Sequence, residues 1–315
     1  MEEFGKDVLE GLTAKPKYLS SKYIYDAEGD KIFQRIMNMP EYYLTNCEFE
    51  ILETYKDELM HHFSGNEESF ELVELGAGDG LKTKILLQHF LKKNVRFSYV
   101  PIDISHNILT KLEADILDRW PEMNVEVLHG EYFSALESLQ EDKEVNKVIL
   151  LLGSNIGNFP KKEALTFLND IRNRMNDEDQ LLIGFDLKKD PDVILQAYSD
   201  PHGNSEAFSK NVLGRINREL GGEFDLGKFK HFQHYHPVEG NCESFLISSE
   251  KQEVRIEALG VTIHFDKSEP IHIEISQKYD FTGIKALLSA AGLKIKQSFQ
   301  DERGYFSDVL CEKNV

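Results

Sequence analysis

Glu74-Leu-Gly-Ala-Gly-Asp-Gly-Leu-Lys82 decides how this chain reads. It follows strand-forming Phe70, Leu72 and Val73 and leads into Ile85, Leu86, Leu87 and Phe90, which recur at helical spacing. A glycine-rich turn from strand to helix lets backbone N–H groups come close to a ligand, and the start of the helix favours an anion. Further on, Tyr99-Val-Pro-Ile-Asp103 ends a second strand on a carboxylate, a position from which an acid can hold ribose hydroxyls. The glycines alternate at 76, 78 and 80, so Gly-x-Gly-x-x-Gly is absent and a nicotinamide cofactor is not expected. Glu-Leu-Gly-x-Gly-x-Gly with a later aspartate reads instead as a site for S-adenosylmethionine (SAM).

Outward from this turn the text alternates. Strand 70–76 precedes helix 81–92, strand 96–103 precedes helix 106–118, and strand 124–129 precedes a short helix near 134–140. Strand 147–153 precedes helix 161–175, and strand 180–186 closes the run. Val148-Ile-Leu-Leu-Leu152 and Leu181-Leu-Ile183 are near-continuous apolar text, as strands buried on both faces require. Such alternation predicts an α/β fold with a doubly wound, Rossmann-like parallel sheet. The pattern breaks after Asp190-Pro191. A helix over 206–220 is followed by short segments at 229–236, 243–249, 252–258, 261–266 and 269–277, which read as antiparallel strands. Helix 281–291 and strands 293–299 and 305–311 then supply the expected close of a seven-stranded SAM methyltransferase sheet, whose last strand is antiparallel. The expected organisation is a cofactor domain over 51–189 and 279–315, with a second, α+β substrate lobe over 1–50 and 190–278. A cleft at the carboxyl ends of the parallel strands is where open α/β sheets bind ligands.

Composition narrows the partners. Hydrophobic residues are 41% and charged residues 29% of 315, ordinary for a globular protein. Lys plus Arg number 36 against 55 Asp plus Glu, a net charge of −19 that repels phosphate backbones and anionic membranes. The expected partner is a small molecule, with no nucleic acid and no membrane, and the expected state is a monomer. No apolar run approaches the ~20 residues that cross a bilayer, and the N-terminus lacks the basic-then-apolar pattern of a signal peptide. Cys47, Cys242 and Cys311 have no metal-type spacing, and a sparse, odd count suits a reducing compartment. The cytoplasm is therefore expected. The histidines show neither His-Glu-x-x-His nor Cys/His spacing, so no metal is expected. A serine hydrolase is disfavoured by the lack of Gly-x-Ser-x-Gly.

Candidate residues for chemistry sit at strand ends. Gly76 and Gly78 allow close backbone approach. Lys82 falls in the first turn of the helix, where a cation opposes the dipole; it is either a solvated lysine or the partner of a ligand carboxylate. Asp103 is a ribose ligand or a helix cap, since Ser105 and Asn107 follow. Glu131 and Tyr132 end the third strand, where an adenine edge and face could be read, or are plain surface. Gly153-Ser-Asn-Ile-Gly-Asn158 ends the fourth strand. There an amide such as Asn158 can accept from an amine and donate to a carboxylate, and a simple Gly/Asn turn explains the same residues. Glu274 and Ser276 are two apart, so they share one face of a strand, either lining a site or solvated. Tyr198 and the aromatic Pro40-Glu-Tyr42-Tyr43 loop complete the set.

These elements occur together in an order that resembles the histidine-specific SAM-dependent methyltransferases, which make the trimethylated betaine hercynine for ergothioneine synthesis. The matching text is Pro16-Lys-Tyr-Leu with Tyr25-Asp26, Met39-Pro-Glu-Tyr-Tyr43, Glu74-Leu-Gly-Ala-Gly78 with Lys82-Thr83, and Val100-Pro-Ile-Asp103. It continues with Gly153-Ser-Asn-Ile-Gly-Asn158, Phe208-Ser-Lys-Asn211 with Ile216-Asn-Arg-Glu219, and Glu274-Ile-Ser276. The resemblance implies a SAM-dependent L-histidine Nα-methyltransferase. By it, Gly76, Gly78, Lys82, Asp103, Glu131 and Tyr132 contact the cofactor. Tyr42, Asn158, Tyr198, Glu274, Ile275 and Ser276 contact the amino acid, with Tyr25 near its amine and Tyr25 or Asn158 aiding proton release. The Asn and the later Tyr would hold the carboxylate end, and the Glu and Ser would read the imidazole. Two departures stand out. Glu131-Tyr132 replaces the family's Asp-Phe, and Ser244 stands where a methionine is expected in the imidazole pocket. The second keeps another, aromatic amino acid in view as substrate. A non-catalytic SAM-binding sensor is the rival from a different class, which turnover with any amino acid would exclude.

Overall fold

The structure is a computed structural model describing residues 3–65, 69–130, 132, 137 and 145–314. Helix α1 (Glu3–Thr13) is followed by strand β1 (Lys17–Tyr18) and helices α2 (Ala27–Met37) and α3 (Tyr43–Ser64). Next come β2 (Phe70–Leu75), α4 (Thr83–Lys92), β3 (Phe97–Asp103), α5 (His106–Arg119) and β4 (Leu128–His129). The chain continues through β5 (Asn146–Leu151), α6 (Lys161–Arg174), β6 (Gln180–Asp186), α7 (Pro191–Tyr198) and α8 (Asn204–Leu220). Strands β7 (Phe229–His236), β8 (Asn241–Ser248), β9 (Gln252–Ile256), β10 (Val261–Phe265) and β11 (Pro270–Gln277) precede α9 (Phe281–Ala290), β12 (Leu293–Gln300) and β13 (Phe306–Lys313). These elements form two compact units, one of residues 1–42 and 189–276, the other of 43–188 and 277–315.

The larger unit holds a seven-stranded sheet in the order β12-β13-β6-β5-β2-β3-β4. The strands from β6 to β4 pair in parallel, whereas β13 lies antiparallel to both β6 and β12. Strand order reverses between β2 and β5, and ligands of open α/β sheets bind beside such a switch point. The apolar runs of β2, β3, β5 and β6 fill the centre because these strands are covered on both faces. Val73, Val100, Ile149 and Ile183 pack with Phe167, Leu168 and Ile171 of α6 and Ile284 and Leu288 of α9. Phe63, Phe70 and Phe90 meet edge to face around α3, β2 and α4.

The smaller unit contains a four-stranded sheet, β1-β11-β8-β7, and the β9–β10 pair. Strand β1 joins β11 in parallel, Lys17 opposite Ile271 and Tyr18 opposite His272. Asp26 caps α2 by accepting from the N–H groups of Glu28 and Gly29. The same carboxylate accepts from Asn211 Nδ2 at 2.8 Å and from the Arg218 guanidinium, both on α8. Burial opposes ionisation of Asp26, but these donors hold its carboxyl below the usual range.

Several expectations change. The third strand is much shorter than 124–129: only Leu128 and His129 are strand, and Val125 makes an isolated bridge to Tyr99. The short helix near 134–140 falls mostly outside the described residues. Asp190-Pro191 starts an element instead of ending the pattern: Asp190 accepts from the Asp192 N–H and Pro191 occupies the first helical position of α7, where its missing N–H and fixed φ are harmless. Helix α3 belongs to the larger unit from Tyr43, whereas the sequence division assigns residues up to 50 to the other lobe.

Candidate active site

In the larger unit the turn after β2 is built from left-handed backbone. Gly76 has φ 72° and Gly78 φ 56°, a region that disfavours side chains. A Cβ on Gly76 would come within 2.7 Å of both Asn155 Nδ2 and Tyr132 Oη, while one on Gly78 would meet nothing within 4 Å. The turn is thus crowded at its first glycine and open at its second, as close approach of a ligand requires. Asp103, the last residue of β3, locks the turn in place. Its Oδ2 accepts from the Gly78 N–H at 2.9 Å and its Oδ1 from the Ser105 N–H at 2.9 Å. Burial raises its carboxyl above the ordinary range, against these N–H bonds. The cap of α5 is Ser105, which accepts from the Ile108 N–H, so Asp103 is not the cap that the sequence allowed it to be.

Lys82 occupies the cap position of α4, and its Nζ meets the carboxylate of Glu48 on α3. A protein carboxylate therefore balances the cation that opposes the helix dipole. Glu48 was not singled out from sequence; inside an amphipathic helix it looks like any surface glutamate, yet it is fully buried. Tyr132 is half-buried, edge-on to Phe167, and burial raises its hydroxyl pKa. Glu131 lies outside the described residues.

The segment after β5 forms a short turn of 3-10 helix over Asn155–Asn158. Ser154 takes left-handed backbone and its hydroxyl accepts from the Asp186 N–H at 3.2 Å. Gly157 packs so closely that a Cβ would stand 2.9 Å from the Gln277 carbonyl. Asn158 is half-buried at the end of this turn, and it is Asn155, quoted only as part of the motif, whose amide reaches Gly76. Beside it, Asp186 at the end of β6 is buried with Tyr43 Oη at 2.8 Å and Lys278 Nζ at 2.8 Å.

In the smaller unit Tyr25, Tyr42, Tyr198 and Ser276, four of the expected site residues, lie along one aromatic track. Tyr25 meets Phe33 and Phe208 edge-on at 5.7 and 5.3 Å, Phe33 meets Tyr42 at 6.2 Å, and Tyr42 meets Tyr198 at 6.2 Å. Tyr198 Oη is 2.9 Å from Ser276 Oγ. Ser276 is buried, so it is not on a solvated strand face, and Glu274 and Ile275 beside it are half-buried. Phe33 and Phe208 were legible only as apolar helix positions. Ser244 is buried and donates to Gln233 Oε1 at 2.7 Å across the β7–β8 pair. Among the described residues no group of three or more His, Cys, Asp or Glu could hold a metal ion, and no helix is long and apolar enough to cross a membrane.

A doubly wound sheet closed by a reversed hairpin, carrying this glycine turn beside its switch point, defines the class of SAM-dependent methyltransferases. Comparison with known proteins makes the assignment narrower. The chain matches the family model described as histidine-specific methyltransferase, SAM-dependent, over residues 4–313. It is 33% identical to histidine N-alpha-methyltransferase of Mycobacterium tuberculosis (strain CDC 1551 / Oshkosh), across 98% of this chain and 94% of that protein. It is 29% identical to ergothioneine biosynthesis protein 1 of Schizosaccharomyces pombe, across 94% of this chain but 39% of that protein. A 4-dimethylallyltryptophan N-methyltransferase of Epichloe festucae var. lolii is 27% identical across 94% of this chain and 90% of its own. The chain belongs to the histidine-specific, SAM-dependent methyltransferase family.

Proposed function

We propose that this protein methylates the α-amino group of free L-histidine with SAM, to give the trimethylated betaine hercynine. The observation that carries the reading is the series of contacts from Tyr25 through Phe33, Tyr42 and Tyr198 to buried Ser276, a polar-tipped aromatic cluster in a chain matched by the family model almost end to end. Gly76, Gly78, Lys82, Asp103 and Tyr132 would hold the cofactor, whose sulfonium supplies an intrinsically reactive methyl group. The protein's own part is then orientation and a neutral nucleophile. Asn158 and Tyr198 hold the carboxylate end of the amino acid, and Glu274 and Ser276 accept from and donate to the imidazole. Each ammonium proton leaves to water, aided by Tyr25 or Asn158; the tertiary amine needs only room and alignment. Single-copy action in the cytoplasm is part of the same reading.

The test is an assay of SAM with each free amino acid, read by product mass. Replacing Glu274 with Ala should raise KM for histidine about 10- to 100-fold, as expected when a hydrogen bond to a charged group is lost, with the Kd for SAM nearly unchanged. Equal losses in both would remove Glu274 from the substrate site. A second reading has its own support. Buried Ser244, bonded to Gln233, is small where the resemblance leads one to expect a methionine, and one relative is named for an indole amino acid. Faster turnover of tryptophan or tyrosine than of histidine would establish that reading instead.

A further inference from the structure

Under the carboxyl end of β5, in the larger unit, one carboxylate is unusually well provided for. Both oxygens of Glu48 accept from the Gly153 N–H, at 2.8 and 2.9 Å, and one receives Lys82 Nζ. Gly184, inside β6, lies beneath it, and a Cβ there would collide with Glu48 Oε1. Glycine weakens the interior of a strand, and its neighbours Leu182, Ile183 and Phe185 are apolar and fully buried. The gap at 184 therefore makes room for the carboxylate. Directly opposite Gly184 on β13 is Asp308, also fully buried, with no donor to either oxygen among the described residues. Burial and the nearby Glu48 push the Asp308 carboxyl well above its ordinary range.

We propose that Glu48 is a positioning residue for cofactor binding: it fixes the ammonium of Lys82 against the Gly153 end of β5, where that ammonium can receive the carboxylate of the methionyl group. This rests on the reading of Lys82 as a cofactor contact given above. A lysine on a free four-carbon stem samples many rotamers, and ordering it on binding would cost affinity. Here Glu48 orders it beforehand. A Cβ on Gly153 would already lie 3.2 Å from Lys82 Nζ, so the ammonium rests against that glycine backbone.

The experiment is a double-mutant cycle read by calorimetric binding of SAM to the full chain. Glu48→Gln keeps the volume and an acceptor for the Gly153 N–H but loses the charge. It should raise the Kd about ten-fold when residue 82 is lysine, and change it less than about two-fold in a Lys82→Met background. Equal effects in both backgrounds, or none with lysine present, overturn the inference while leaving Lys82 as a cofactor contact. If Lys82→Met alone leaves the Kd unchanged, the reading of Lys82 falls, and the inference with it. Because Lys82→Met leaves a buried carboxylate uncompensated, Gly184→Ala provides a second route. It displaces the Glu48 carboxylate and keeps every charge. It should raise the Kd for SAM while KM for histidine at saturating SAM stays within about two-fold; an unchanged Kd overturns the inference, and so does a parallel rise in KM.

Discussion

Glu74 shows how a signature residue acts through burial. Its carboxyl accepts from Thr83 Oγ1 at 2.6 Å and from the Tyr99 hydroxyl, tying the end of β2 to the first turn of α4. Burial raises its pKa from 4.5 to about 7, against those two bonds. The folded chain therefore keeps this proton to higher pH than the unfolded chain does. The contribution to stability is fully present below about pH 4.5 and is lost as pH rises through about 7, by an amount on the order of 3 kcal/mol. Glu74→Gln should flatten that part of the pH dependence, measured by denaturant unfolding between about pH 5 and about pH 8. An unchanged slope would mean that another group titrates there. At this scale the sequence spoke unevenly. Gly76, Gly78 and Asp103 announced themselves because a positive φ and a strand-end acid leave a mark on residue type. Glu48 and Asp308 left none, since nothing local separates a buried carboxylate from an exposed one; only the unexplained glycine at 184 in an apolar strand hinted at them.

Helices and strands were read with more success where one period ran unbroken. Strands β2, β3, β5 and β6 with helices α4, α5 and α6, and the final α9-β12-β13 close, appear where apolar spacing places them. Short pieces escaped. Helix α7 is eight residues long and begins at Asp-Pro, which looks like an interruption until the cap is seen. Just beyond its last residue, Tyr198, the chain is pinned by Asp200. That carboxylate accepts from the N–H groups of His202, Asn204 and Ser205 and from the Ser205 hydroxyl. Burial opposes its ionisation, yet these donors keep its carboxyl below the usual range. Asp200→Ala should lower stability by about 1–2 kcal/mol, as loss of a helix cap does, and should raise KM for the amino acid more than the Kd for SAM. Thermal melts and kinetics together check this. An effect confined to the melting temperature would separate Asp200 from Tyr198.

For the molecule as a whole, a net charge of −19 implies self-repulsion that opposes compaction. Raising salt from about 0.02 to about 0.2 M shortens the Debye length to below about 10 Å, and should raise Tm by a few degrees. A flat or falling Tm would show that exposed pairs such as Lys56–Glu53 and Arg215–Glu219 outweigh the repulsion. The existence of a second lobe was legible in the break of period after residue 190. Its true edges were not, because α3 carries the same helical text on either side of residue 50 and only long-range packing assigns it. The smaller unit also consists of two stretches far apart in sequence. Asp26 is held by Asn211 and Arg218, and β1 is the parallel neighbour of β11. Anyone exchanging the smaller unit for a relative's must therefore transplant residues 1–42 and 189–276 as a matched pair, because either half alone would arrive without the other's ties.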